Sequence, residues 1–241
     1  DVCSSDLLYF GSDDGRLYAL DIKSRSLVTS PFQTQGPIRT APCYYRDTVF
    51  VASGDGYLYA ISATGGHQTW RSHLPSDAIF GSPIIERGKV VVSSGNQLIA
   101  FDTTRGARRW TFNAGGLLSG TPATEGRRVF VGSHDGVAYC LDSNNGQAIW
   151  RFPAEGVRRP VSAPVTIADN RAFVVFGHTS IVALSLDRGT LDWEYKLPEP
   201  QSEIPVSQQQ GMGPMESFPD MPMGPDMAPG GPPMMQMPFE D

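Results

Sequence analysis

Few side chains in this 241-residue chain could do chemistry. The thiols are Cys3, Cys43 and Cys140, and the imidazoles are His67, His73, His134 and His178. A reactive thiolate needs a positive or basic neighbour, and a zinc site needs three or four convergent ligands. No CxxC, HExxH or glycine-rich phosphate loop gathers such groups. Cys140 shares a repeat column with Ala19, Ala60, Ala100 and Ala183, and Cys43 shares one with Ile84, Ala123 and Val165, so both read as small core residues. His134 and His178 fall in equivalent turns and read as solvated. No catalytic residue and no metal site emerge, and the expected function is not enzymatic. The methionines offer a different chemistry, because thioethers are soft ligands that suit Cu(I). All eight lie between Met212 and Met237, in the runs GMGPM, DMPMGPDM and PPMMQM. Copper binding, partner docking through Met and Phe, and an inert tail all remain open readings of that stretch.

Tryptophan could stack on a flat ligand, but here its spacing is metrical. Trp70, Trp110, Trp150 and Trp193 are separated by 40, 40 and 43 residues, and each follows a glycine by four positions: Gly66, Gly106, Gly146 and Gly189. Upstream of each unit stands a small residue followed by proline: Ala41-Pro42, Ser82-Pro83, Thr121-Pro122 and Ala163-Pro164. Between these signals run the alignable segments VFVASGDGYLYAIS, VVVSSGNQLIAFD, VFVGSHDGVAYCLD and FVVFGHTSIVALS. A partial copy, LYFGSDDGRLYALD from Leu8 to Asp21, has Arg25 at the Gly position and Thr29 at the Trp position.

The elements that place these residues are four short strands per unit. In the second full unit they are Pro83 to Glu86, Val90 to Val92, Gln97 to Phe101 and Arg108 to Phe112. Asp-Gly pairs between the second and third strands signal tight hairpins, and the glycine before each Trp supplies a left-handed turn. A period near 40 residues with four strands per unit predicts an all-β fold, a β-propeller of four-stranded antiparallel blades. About four and a half blades are present.

The recurring A-x-D-x-x-x-G-x-x-x-W, as in Ala100, Asp102, Gly106 and Trp110, resembles the PQQ-like (quinoprotein-type) β-propeller family, which includes the quinone-dependent dehydrogenases and the BamB-like outer membrane assembly proteins. The resemblance covers residues 8 to 197. It implies that Trp70, Trp110, Trp150 and Trp193, with Gly66, Gly106, Gly146 and Gly189, dock each blade on its neighbour. Ser62 and Ser185 depart from the pattern at the Asp position, as do Arg25 and Thr29 at theirs. It further implies an eight-bladed whole, of which this chain is a C-terminal fragment. The working role is a non-catalytic protein-binding scaffold of the periplasm or cell envelope, with any membrane anchor upstream. Rival readings are a fragment of a PQQ-dependent dehydrogenase, with calcium beside the quinone, and the sensor propeller of a membrane-bound protein kinase. Against the dehydrogenase, no vicinal cysteine pair occurs and every Trp already holds a repeat position.

Composition divides the chain into three. Residues 1–7, DVCSSDL, do not align with the repeat and read as unstructured or foreign sequence; residues 8–197 are blades; residues 198–241 are an acidic Met/Pro/Gly-rich tail. The formal charge of −6 is a −7 tail on a body near +1. Such a body lacks the basic stripe that nucleic-acid binding requires, so that partner is not expected. No apolar run approaches the ~18 residues of a membrane-spanning helix. First-to-second and third-to-fourth turns share one face, whose cations (Arg46, Arg87, Arg128 and Arg171 among them) could meet an acidic partner. The tail lacks periodicity and is expected to be disordered, since it cannot bury enough apolar area to offset its ordering entropy. Deleting residues 201–241 is therefore expected to leave the melting temperature of the body unchanged in a calorimetric scan.

Overall fold

The structure, a computed structural model, describes residues 6–198 apart from 78, 80, 119, 153–159, 162, 178 and 179. The described residues form strands, in five sheets, and no α-helix. Blade 1 holds β1 (Leu7–Gly11), β2 (Arg16–Asp21), β3 (Ser26–Leu27) and β4 (Phe32–Gln33). Blade 2 holds β5 (Cys43–Tyr45), β6 (Thr48–Ser53), β7 (Tyr57–Ser62) and β8 (Gln68–His73). Blade 3 holds β9 (Ile84–Glu86), β10 (Lys89–Ser94), β11 (Gln97–Asp102) and β12 (Arg108–Asn113). Blade 4 holds β13 (Ala123–Glu125), β14 (Arg128–Gly132), β15 (Ala138–Asp142) and β16 (Ala148–Phe152). Blade 5 holds β17 (Thr166–Ala168), β18 (Arg171–Phe176), β19 (Ser180–Ser185) and β20 (Leu191–Lys196). Blades 2 to 5 are antiparallel meanders in which each strand pairs with the next in sequence.

The apolar core lies between blades. The second strands of blades 2 to 4 are buried along nearly their whole length because both faces are covered. In β6, Val49 and Val51 pack toward blade 1 with Leu17 and Ile38, whereas Phe50 and Ala52 pack toward blade 3 with Val90 and Val92. In β10, Val91 turns instead toward Val129 and Val131 of blade 4, and Phe130 then faces Val174 of blade 5. A two-residue side-chain period with apolar groups at both phases reads as a continuous hydrophobic run, which is why VFVA and VVV mark these strands.

Blade 1 departs from its neighbours. Its first described strand, β1, occupies the second-strand column, and both β3 and β4 pair with β2. Between them lies Pro31, which has no N–H for the ladder, so the fourth strand is broken in two. The ordered repeat also starts slightly earlier than its sequence alignment: Leu7 pairs with Asp21, and the Asp6 carbonyl accepts the Ile22 N–H at 2.8 Å.

In blades 2 to 5 the pairing of the third and fourth strands slips by one residue beside the tryptophan. Ala60 faces Trp70 while Ile61 faces Gln68, and the same shift recurs at Ala100, Cys140 and Ala183. Such a bulge re-aims the side chains next to it. The connections between blades run closely over the following second-to-third hairpin. A Cβ added to Gly116 would stand 2.6 Å from the backbone nitrogen of Asp135, closer than any real carbon approaches. Gly116→Ala is expected to lower stability by roughly 1–3 kcal/mol, the usual cost of overpacking a site that cannot yield, as measured by urea denaturation.

Candidate functional site

The tryptophans and glycines meet across the blade junctions. The Trp70 indole N–H donates to the Thr103 carbonyl of blade 3 at 3.1 Å, Trp110 to Ser143 of blade 4 at 2.9 Å, and Trp150 to Leu186 of blade 5 at 3.0 Å. Each ring lies against a glycine of that same turn. A Cβ at Gly106, Gly146 or Gly189 would come within 2.5–2.6 Å of Trp70, Trp110 or Trp150 respectively. Those glycines have φ of 67°, 73° and 66°, so left-handed backbone and close approach both favour glycine there. Gly66 has the same backbone, at φ 64°, but faces Thr29. A cavity of about 10 Å³ lies at that first junction, partly lined by Tyr9, whose buried hydroxyl has no partner among the described residues. Trp193 has no facing blade among the described residues and is 45% exposed, beside Leu191 and Tyr195.

A second set of contacts, made within the hairpins and to the connections above them, is not marked by the repeat pattern. In three blades the hairpin aspartate bonds a tyrosine four residues on: Asp14 with Tyr18 at 2.7 Å, Asp55 with Tyr59 at 2.7 Å, and Asp135 with Tyr139 at 2.8 Å. Positive φ falls on Gly15, Gly56 and Gly136, so the turn's backbone freedom comes from glycine, while the aspartate acts as an acceptor. Its other oxygen takes a backbone N–H two residues on, as Asp55 does from Tyr57 at 3.1 Å. Burial, and then the neighbouring carboxylate, push the Tyr59 hydroxyl up to about 12. Asp55 also accepts the Gln35 N–H of the incoming connection at 2.9 Å. The sequence signal was the joint loss in blade 5, where His178 and Val182 replace both members of the pair, while blade 3, whose hairpin is one residue shorter, has Ile99 in the tyrosine column. Before the first strands, the Ala41 N–H donates to Ser82 Oγ at 2.9 Å and the Ser82 N–H to Thr121 Oγ1 at 3.0 Å, which links three successive small-Pro signals.

This architecture has counterparts. A model of the family described as outer membrane protein assembly factor BamB matches residues 13–118 and again 105–212. The chain belongs to the BamB family. It is 25% identical over 164 residues to outer membrane protein assembly factor BamB of Nitrosomonas eutropha, covering 66% of this chain and 39% of that protein. The crystal structure of BamB from Moraxella catarrhalis superposes with a TM-score of 0.68 at 18% identity, covering 79% of this chain and 61% of that one. Quinohemoprotein alcohol dehydrogenase from Comamonas testosteroni shares the fold at a TM-score of 0.70 and 14% identity, covering 80% of this chain and 42% of that one. The chain thus spans less than two thirds of the length of these proteins.

Within this BamB-family body the two described thiols are shielded. Cys140 is buried and Cys43 half-buried; both are free thiols, and burial pushes each up to about 12, away from thiolate at neutral pH. Among the described residues no cluster of three or more His, Cys, Asp or Glu is placed to hold a metal ion. His134 lies on an exposed hairpin, while His178, Cys3 and the Met-rich tail lie outside the described residues. No helix among the described residues is long and apolar enough to cross a membrane.

Part of the charge on the turn face is paired. Arg128 meets Asp187 at 2.7 Å, Arg171 meets Asp192 at 2.9 Å, and Arg87 lies 3.3 Å from the buried Glu86. The Arg109 guanidinium bonds Asp102 and holds its carboxyl below the usual range. Arg46 instead stacks its guanidinium 5.0 Å over the Tyr45 ring and makes no ion pair among the described residues.

The two environments of tryptophan differ enough to separate by mutation. Trp110→Ala, at a ring 7% exposed, is expected to cost about 3–5 kcal/mol. Trp193→Ala, on an open face, should cost within about 1 kcal/mol. Chemical denaturation of both variants beside the parent chain checks the ranking.

Proposed function

We propose that the chain is part of a non-catalytic propeller scaffold of the bacterial cell envelope, which binds protein partners in outer membrane protein assembly. The observation that carries this reading is the BamB family match, which runs from residue 13 to residue 212 in two overlapping copies. Three of the four tryptophans are engaged by a neighbouring blade, and both described thiols are raised by burial. What the body offers a partner is chiefly turns, which suit docking. In this reading residues 8–197, extended to Asp6, are blades of an eight-bladed ring whose other blades and membrane anchor lie upstream. Residues 198–241 are a separate acidic tail. Trp70, Trp110, Trp150 and Trp193 with Gly66, Gly106, Gly146 and Gly189 are docking residues between blades.

The shared fold of the quinohemoprotein dehydrogenase motivates the enzymatic alternative, with PQQ and calcium held by parts outside this chain. A sensor propeller of a protein kinase is the other rival. Epitope-tagging the gene product in the organism that encodes it, then identifying co-purifying proteins from solubilised envelopes, separates these readings. Recovery of outer membrane assembly components is the expected result. Dye reduction by the purified full-length product with an alcohol, PQQ and calcium, or phosphate transfer from ATP, would replace the scaffold reading.

A further inference from the structure

The junctions between blades 2 and 3 and between blades 4 and 5 are built alike, yet they end differently at the turn face. At the later junction, Arg128 opens the second strand of blade 4 and reaches across to the third-to-fourth turn of blade 5. It bonds the Leu186 carbonyl at 3.4 Å and the Asp187 carboxylate at 2.7 Å, beside the Trp150 indole. At the earlier junction the equivalent positions are Thr48 and Thr104. Both members of the ion pair are thus replaced by short hydroxyls, and a cleft of about 200 Å³ takes their place. Its inner wall is Phe50, which packs 5.7 Å from Trp70, and Thr103, whose carbonyl holds the Trp70 N–H.

The lining chemistry is one-sided. Thr69 and Thr103 spend their hydroxyls on the Ala60 and Gly88 carbonyls, at 3.1 and 3.0 Å. The Thr48 and Thr104 hydroxyls have no hydrogen-bond partner among the described residues. Arg46 stands at the rim with its guanidinium over Tyr45. Its neighbour Asp47 makes no ion pair with it among the described residues and accepts the Thr64 hydroxyl at 3.0 Å. The cleft therefore offers an unpaired cation, two free hydroxyl donors and an aromatic wall, where the later junction supplies its own carboxylate.

We propose that this cleft is a docking socket for an aspartate or glutamate side chain on a loop of a protein partner. The incoming carboxylate bonds the Arg46 guanidinium and the hydroxyls of Thr48 and Thr104, while the partner's chain packs on Tyr45. A guanidinium–carboxylate contact of this kind gives both strength and geometric selectivity. The proposal rests on the scaffold reading and gives that scaffold's partner an acidic contact.

The test uses the purified full chain and a blocked peptide, acetyl-Gly-Glu-Gly-Leu-amide, titrated by calorimetry. Its glutamine counterpart should bind at least about tenfold more weakly, since one charged hydrogen bond is lost. Arg46→Asn keeps a residue that tolerates the left-handed turn at φ 46° and should lose a similar factor. The double variant Thr48→Arg with Thr104→Asp leaves net charge unchanged and restores the pair seen at the later junction. It should abolish binding while the melting temperature holds. Equal affinity for the two peptides, or unchanged binding by either variant, overturns the proposal. Displacement of the peptide by equimolar succinate also overturns it, by making the cleft a site for free small carboxylates. Because the experiment uses no cell partner, its failure leaves co-purification with assembly components to stand or fall separately.

Discussion

A four-stranded sheet with two apolar faces is unstable until both are covered, and every blade in this chain depends on that constraint. Alternate residues of β6, β10 and β14 point to opposite junctions, so each sheet serves two cores at once. No blade can bury itself. The repeat exists because stacking is the solution, as in other quasi-one-dimensional proteins where stability resides in interfaces between units.

Tryptophan and glycine add direction to that stacking. An indole N–H bonded to a carbonyl of the next blade fixes orientation as well as area, and the glycine opposite admits the ring to the backbone. The strand bulge beside each tryptophan accompanies that aim. On the other side, aspartates bonded to tyrosines stiffen the hairpins over which the connections run. Where Thr29 takes the tryptophan's place, the fourth strand is also broken, so two departures from the repeat fall together in blade 1.

Function in such a body lies in what the junctions leave over. Most repeat columns are committed to packing, turns or interblade bonds, which engages Trp70, Trp110 and Trp150, buries Cys140 and ties Asp14, Asp55 and Asp135 to tyrosines. Part of the turn-face charge is internally neutralised as well. Arg46 borders an open cleft because its blade carries threonine where later blades carry Lys89, Arg128 or Arg171. The difference is one of position within a repeat, visible only against the other copies.

The sequence by itself determined the fold class, the blade period and the strand columns, because hydrophobic alternation, Asp-Gly and Gly-x-x-x-Trp are local patterns set by backbone geometry. It also marked the tryptophans and their glycines as a repeating set. Their partners were decided by tertiary structure: Trp110 meets Gly146 and Ser143 across 36 and 33 residues, a relation that no local rule encodes. The same holds for the Asp–Tyr bonds, whose residues are close in sequence but whose meaning depends on the connection packed above them. Whether a cation is paired or free could not be read from composition either. Arg46 and Arg128 are alike in type and stand two columns apart within the repeat, and only the stacking of one blade on the next gives Arg128 a carboxylate and leaves Arg46 without one.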